Sequence, residues 1–155
     1  GRKNNERVYM WINSKYIKRN INFDKWKVFL PAANGSGAIG EVLSTPLVGT
    51  PLVGTPLVGH TQTFLTIGCF DNKLEAENCL KYIKSKFART MLGVLKITQA
   101  NKKPTWAYVP LQDFTDKSDI DWTKSIHEID LQLYKKYNLT DDEIKFIETN
   151  VEEMK

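Results

Sequence analysis

The amino-acid sequence predicts a mixed α/β domain of the α+β kind: a small mixed or antiparallel sheet, one main packing helix and a two-helix C-terminal tail. Three observations carry this. Short runs rich in aromatic and β-branched residues, Trp26–Leu30 and Gln62–Gly68, read as strands. Leu74, Leu80, Ile83, Phe87 and Leu92 recur at roughly helical spacing, with Lys81, Lys84, Lys86 and Arg89 filling much of the remaining surface. Two further amphipathic stretches close the chain at 124–136 and 141–152. With 155 residues, 41% hydrophobic and 26% charged, the chain is long enough for one core and has an ordinary globular composition.

Val8-Tyr9-Met10-Trp11-Ile12 is the first expected strand and Trp26-Lys27-Val28-Phe29-Leu30 the second. Residues 13–20 between them are polar and basic, a connection or a short helix. Pro31-Ala32-Ala33-Asn34-Gly35-Ser36-Gly37 is a loop whose uncovered backbone amides can approach a ligand closely. Thr45-Pro46-Leu47-Val48-Gly49 is then repeated without change at 50–54 and 55–59. A five-residue period is too short for a solenoid unit, and proline and glycine in every unit forbid a continuous helix or central strand. Residues 45–59 are therefore expected to form an extended, turning loop whose Leu-Val pairs pack down on the domain. Loop closure costs only about 0.6 kcal/mol per doubling of length, so the fold should survive with two or four units.

Gln62–Gly68 is the next strand. Asn72, with Glu75 three residues on, supplies a capping box for a helix over about 73–92. Trp106–Val109 is expected to be a strand ended by Pro110, and 115–121 an acidic loop. Thr140 and Glu143 make a second capping box, ahead of Ile144, Ile147 and Val151 on one face. The implied division is a domain over 1–115 and an acidic helical tail over 116–155 packed on it.

Much chemistry is excluded at this stage. No stretch approaches the roughly 18 apolar residues of a membrane helix, and the charged first thirty residues do not read as a signal peptide. The expectation is a cytoplasmic protein, with Gly1-Arg2-Lys3 marking a cut inside a longer polypeptide or a tag remnant. Cys69 and Cys79 have no Cys-x-x-Cys spacing and are expected to be buried free thiols. His60 and His127 have no ligand partner at metal-binding spacing. There is no Gly-x-x-x-x-Gly-Lys loop and no Gly-x-Ser-x-Gly turn, and Asn34–Gly37 is only half of a dinucleotide loop. Glu143-Ile144-Lys145, with Asp119 or Asp121 upstream, fits the letters of a metal-dependent nuclease. Such a pair belongs on a core strand, and here Glu143 falls at a capping position of a helix. No catalytic residue, cofactor site or metal site is expected.

Charge is unevenly distributed. Residues 1–103 hold 16 Lys/Arg against 6 Asp/Glu, whereas residues 104–155 hold 6 against 12. Such asymmetry suits a basic face for a polyanion and an acidic portion turned away from it.

Several stretches resemble the C-terminal target-recognition region of bacterial type II (type IIG-like) adenine-specific restriction-modification DNA methyltransferases. They are Lys27–Gly37, Gln62–Leu65, Tyr82–Arg89, Tyr108–Phe114, Asp121-Trp122 and Ile129–Tyr137, in that order and over nearly the whole chain. In that family the S-adenosylmethionine motif and the Asn-Pro-Pro-Tyr-type motif lie in an earlier catalytic domain, and this chain carries neither. The resemblance implies a DNA-specificity domain without catalysis of its own, partnered by double-stranded DNA and by the methyltransferase domain of the same polypeptide, with no membrane role. S-adenosylmethionine would serve that other domain alone. Phosphates would then be met by Lys15, Lys18, Arg19, Lys27, Lys96, Lys102 and Lys103. Base edges would be read by Asn34, Ser36, Gln62 and Gln99, whose short polar groups pair with adenine and other bases. Trp11, Trp26, Trp106 and Trp122 are expected to be packing residues rather than stacking platforms. The competing expectation is an interaction module that docks the catalytic domain or a partner subunit, using the amphipathic tail.

Overall fold

The computed structural model describes residues 1–4, 6–33 and 51–154. Its principal sheet is organised by one strand, β3 (Trp26–Pro31), buried along nearly all its length. Val28 and Leu30, two residues apart and so on one face, are fully buried against the helices. β3 pairs antiparallel with β4 (Leu52–Gly54) on one side and β5 (Phe64–Phe70) on the other, giving the order β4-β3-β5. A separate minimal hairpin joins β1 (Arg2–Lys3) to β2 (Glu6–Arg7). The fold is a mixed α+β one with antiparallel sheets.

Two glycines set the register. Trp26 pairs with Phe70 and Val28 with Ile67, so β5 carries one extra residue between them. Gly68 takes up that bulge with φ of +85°, and a Cβ there would lie 2.1 Å from the Phe70 ring. At Gly54, opposite Lys27, a Cβ would lie 2.4 Å from the Phe29 ring. The second repeat unit thus supplies an edge strand whose glycine seats Phe29, which the loop expected at 45–59 did not foresee. The third unit has a different job. β4 and β5 are both antiparallel to β3, so the chain must cross from the Lys27 level back to the Pro31 level. Four strand residues and two strand spacings amount to about 17 Å in a straight line through β3. If Leu57–Gly59 took the slot, His60–Thr63 would span at most about 17 Å fully extended, with no length left to go around. The third unit is the crossover, anchored by the Leu57 N–H on the Phe23 carbonyl at 2.8 Å.

The single helix expected over 73–92 is two: α1 (Lys73–Lys84) and α2 (Lys86–Leu95). Ser85 breaks it. Its N–H closes α1 on the Lys81 and Tyr82 carbonyls, and its hydroxyl accepts from Ala88 N–H to open α2. A buried carboxylate, Asp130, accepts the N–H groups of Lys86 at 3.0 Å and Phe87 at 2.9 Å. The buried Arg89 donates to the carbonyls of Lys84, Ser85 and Glu152. A residue that local periodicity places mid-helix is converted into a junction by its own hydroxyl, by Arg89 one turn on and by Asp130, distant in sequence. At the start of α1, Asn72 accepts from Glu75 N–H and donates to the Glu75 carboxylate, so the return bond comes from a side chain, not the backbone.

The tail forms α3 (Ile126–Lys136) and α4 (Asp141–Asn150), each opened by a full capping box. Thr140 and Glu143 were expected; Ser125 and Glu128 were passed over in the sequence. Ile129, Leu133, Ile147, Val151 and Met154 join Val28, Leu30, Ile83 and Phe87 in a single core cluster. Two expected strands are absent. Val8–Ile12 is irregular: Val8 pairs only with Gly1, and residues 9–12 are exposed and join no strand. Lys103–Trp106 is a 3₁₀ turn with Pro104 in its first positions, where proline suits a helix start.

Burial raises the Asp130 carboxyl to about 6, outweighing the two N–H bonds and Arg89 that hold it down. A folded-state value above the ordinary 3.8 adds stability that is fully present below about pH 4 and lost as pH rises through 6. The linkage is on the order of 3 kcal/mol. Asp130→Asn should destabilise the fold by about 1–3 kcal/mol at neutral pH, because its single amide oxygen can keep only one of the two N–H groups and sets its NH2 against the other. In urea titrations its deficit against wild type should be larger at pH 4.5 than at pH 7; an equal deficit would mean that Asp130 titrates normally. For the repeats, a two-unit variant should melt within a few degrees of wild type, whereas a one-unit variant, lacking either β4 or the crossover, should lose the cooperative transition.

Candidate nucleic-acid interface

Residues 8–21 run from the β1–β2 hairpin towards the principal sheet as a loop fastened at both stems. At the first stem, the Gly1 ammonium donates to the Val8 carbonyl at 2.9 Å, and the Arg7 guanidinium lies 5.3 Å from the centre of the Phe64 ring. At the second, the Asn22 amide donates to Thr66 Oγ1 at 3.0 Å and the Gly68 carbonyl at 3.2 Å. The Cys69 thiol donates to the Ile21 carbonyl. The base is held from below by Lys27, whose Nζ donates to the carbonyls of Asn22 at 2.9 Å and Phe23 at 3.0 Å.

Between the stems the only regular element is the 3₁₀ turn Ser14–Tyr16, capped by Asn13, whose Oδ1 accepts from Lys15 N–H. Its side chains point into solvent. Trp11 is 103% exposed, Met10 83% and Ile21 87%, and Tyr9, Ile12 and Tyr16 are exposed with them. Trp11 therefore does not pack, contrary to expectation, while Trp122 is buried and Trp26 and Trp106 are half-buried. Lys15, Lys18 and Arg19 are exposed on the same loop, and no Asp or Glu occurs between Arg7 and Asp24. Lys15 sits 4.9 Å from the Tyr16 ring centre, and Arg19 lies over Phe23 and 3.9 Å from Asp24.

The structure corrects two expected phosphate contacts. Lys27 and Lys96 are each only 1% exposed. Lys96 Nζ donates to the Thr98 carbonyl at 2.9 Å, and burial lowers the pKa of both ammonium groups. An ammonium committed to backbone carbonyls inside the fold cannot reach a phosphate. The sequence could not show this, because a lysine in an apolar strand reads as surface until its carbonyl partners are known. Gln62, Gln99, Lys102 and Lys103 are exposed. They gather near one end of the sheet: Gln99 precedes Ala100, which bridges Ala33, and Ala32 N–H donates to the Thr63 carbonyl. Asn34 and Ser36 lie outside the described residues.

A cavity of about 470 Å³ is lined by Leu65 and Ile67 of β5, Tyr82 of α1, Trp106 and Val109, with Lys103 in its wall. Cys79 also lines it and is buried, its thiol pKa pushed up by burial, whereas Cys69 is exposed, not buried as expected; both are free. Glu143 accepts from Thr140 N–H and Oγ1, and Asp119 pairs with Lys136 at 2.7 Å, so these carboxylates serve the fold. Among the described residues no group of three or more His, Cys, Asp or Glu is placed to hold a metal ion, and no helix is long and apolar enough to cross a membrane. No family model, curated protein or solved structure matches the chain.

Lys27→Met should lower stability by about 1–3 kcal/mol, because the Asn22 and Phe23 carbonyls lose a charged donor and keep only the N–H groups of Lys25 and Leu57, with a clear drop in melting temperature. Lys18→Ala with Arg19→Ala should leave the melting temperature within a degree or two. The reverse ranking would show that Lys27 is not the post of the loop.

Proposed function

We propose that this chain reads duplex DNA as the specificity domain of a restriction-modification adenine methyltransferase, with methyl transfer performed by residues outside it. The observation that carries this reading is the acid-free loop 8–21, which presents Lys15, Lys18 and Arg19 to solvent. Lys102 and Lys103, with Gln62 and Gln99, extend a cationic and amide-bearing surface near the end of the sheet. Cations of this kind meet phosphates and set position, while Gln side chains can satisfy the donor and acceptor pattern of an adenine edge in the major groove. The ordered resemblance blocks in the sequence support the same assignment. Nothing in the reading gives the chain a bound cofactor; S-adenosylmethionine would belong to the catalytic domain.

A second reading is a docking module for the catalytic domain or a partner subunit. The exposed run Tyr9–Ile12 and the apolar cavity beside Trp106 favour it, since such surface is usually covered. The two separate in a gel shift on duplex DNA across salt concentrations. DNA recognition predicts binding at low salt that weakens linearly in log[salt]. Lys18→Ala with Arg19→Ala should weaken it about equally on all sequences and flatten that slope. Lys135→Ala with Lys145→Ala, in the acidic tail, should change it little. Equal losses in both pairs would relocate the DNA face, and no binding at low salt would leave the docking reading.

A further inference from the structure

We infer that loop 8–21 is a stacking element that engages an unstacked or single-stranded nucleobase through Trp11, with Tyr9 and Tyr16 as flanking platforms. The inference rests on the DNA reading and names what that face grips. Three flat aromatic side chains stand within eight residues of one another, all exposed, and Trp11 has no shelter at all. An indole fully in water is a poor use of the largest apolar side chain unless a planar partner covers it. The charge pattern narrows that partner: Lys15 lies between Trp11 and Tyr16, Lys18 and Arg19 follow Tyr16, and the loop has no carboxylate of its own. Planar apolar units joined by regularly spaced negative charges describe a nucleic-acid strand with accessible bases, and base–aromatic stacking is indifferent to sequence. In intact duplex the bases are stacked on one another, so the loop selects a step that opens readily, such as pyrimidine–purine, a mismatch or a free end.

The anchoring geometry fits this use. Both stems lie beside β5, fixed by Arg7 on Phe64 and by Asn22 on Thr66 and Gly68, and Lys27 holds the base. Ordering on binding is confined to the residues between the stems. The sheet then sets where a stacked base sits relative to Gln62, two residues before β5.

The test uses the whole chain and labelled oligonucleotides of one sequence in three forms: duplex, duplex with a central mismatch, and single strand. Wild type should bind the mismatched and single-stranded forms several-fold more tightly than the duplex. Trp11→Ala should lose about tenfold on those two forms and far less on intact duplex, while Trp11→Phe retains most of the affinity. Tryptophan fluorescence should be quenched by the single strand in wild type and much less in Trp11→Phe. If the chain binds DNA, and Lys18→Ala with Arg19→Ala weakens it, but Trp11→Ala binds every form like wild type, the stacking element is wrong and the DNA face stands. If the chain binds no DNA form at low salt, both fall. Binding to vesicles of anionic lipid, dependent on Trp11 and absent for DNA, would replace the nucleobase with a membrane surface.

Discussion

The junction at Ser85 holds the molecule together. Two helices that local sequence would run into one are bent apart there, and the broken ends are satisfied by Asp130 from α3 and by the buried Arg89. Arg89 also reaches the Glu152 carbonyl beyond α4, while Lys86 and Tyr134 converge on Glu148. One turn of backbone therefore touches every helix. The arrangement puts α1 against β3 and brings the tail helices onto the same apolar cluster. The cost of burying Asp130 and Arg89 is tolerated because each completes hydrogen bonds of helix termini that would otherwise be orphaned inside the protein.

The same junction changes the meaning of the charge asymmetry. Sixteen cations in residues 1–103 look like a surface for a polyanion, yet many are spent inside the fold. Lys81 donates to the carbonyls of Trp122 and Lys124, Lys86 to Glu148, Arg89 to Glu152, and Lys27 and Lys96 to nearby backbone. Three of these cations, Lys81, Lys86 and Arg89, tie the C-terminal tail to the basic half, mostly through backbone carbonyls. What remains for an external partner is concentrated in the loop over 8–21 and near the end of the sheet, a smaller and more directional surface than the net charge suggests.

Where pattern and burial coincide, the sequence was legible. Val28 and Leu30 alternate as a strand should, the Thr140–Glu143 box opens α4, and β5 starts within two residues of its expected position. It was illegible where a distant partner decides the local outcome. At Ser85 the N-cap hydroxyl is the one local signal of a break, and helical periodicity outweighs it until Asp130, far along the chain, completes the junction. Lys27 has the letters of a surface cation and the position of a core residue, and only the carbonyls of Asn22 and Phe23 resolve the conflict. Val8–Ile12 has strand composition, yet only Val8 finds a backbone partner, Gly1, which shows how far β propensity depends on a partner. Trp11 was assigned to packing on residue type alone; its neighbours Lys15, Lys18 and Arg19, with no acid among them, were the available signal for an outward role.

The tandem units raise a different matter, which is how a strand finds its register when the letters do not specify it. Side chains normally decide which residues face the core, and a wrong pairing is punished by exposure of apolar groups. Here Leu52-Val53-Gly54 has identical copies five residues before and after it, so the slot beside Lys27–Phe29 accepts each with the same local contacts. Local chemistry does not choose among them; tether length removes one. The copy nearest β5 is ruled out because the remaining chain cannot travel around β3. Pairing of the third copy with β3 is therefore incompatible with β5 in its place, a constraint set by chain length rather than by side-chain packing. In this protein a register is stored as a distance along the chain.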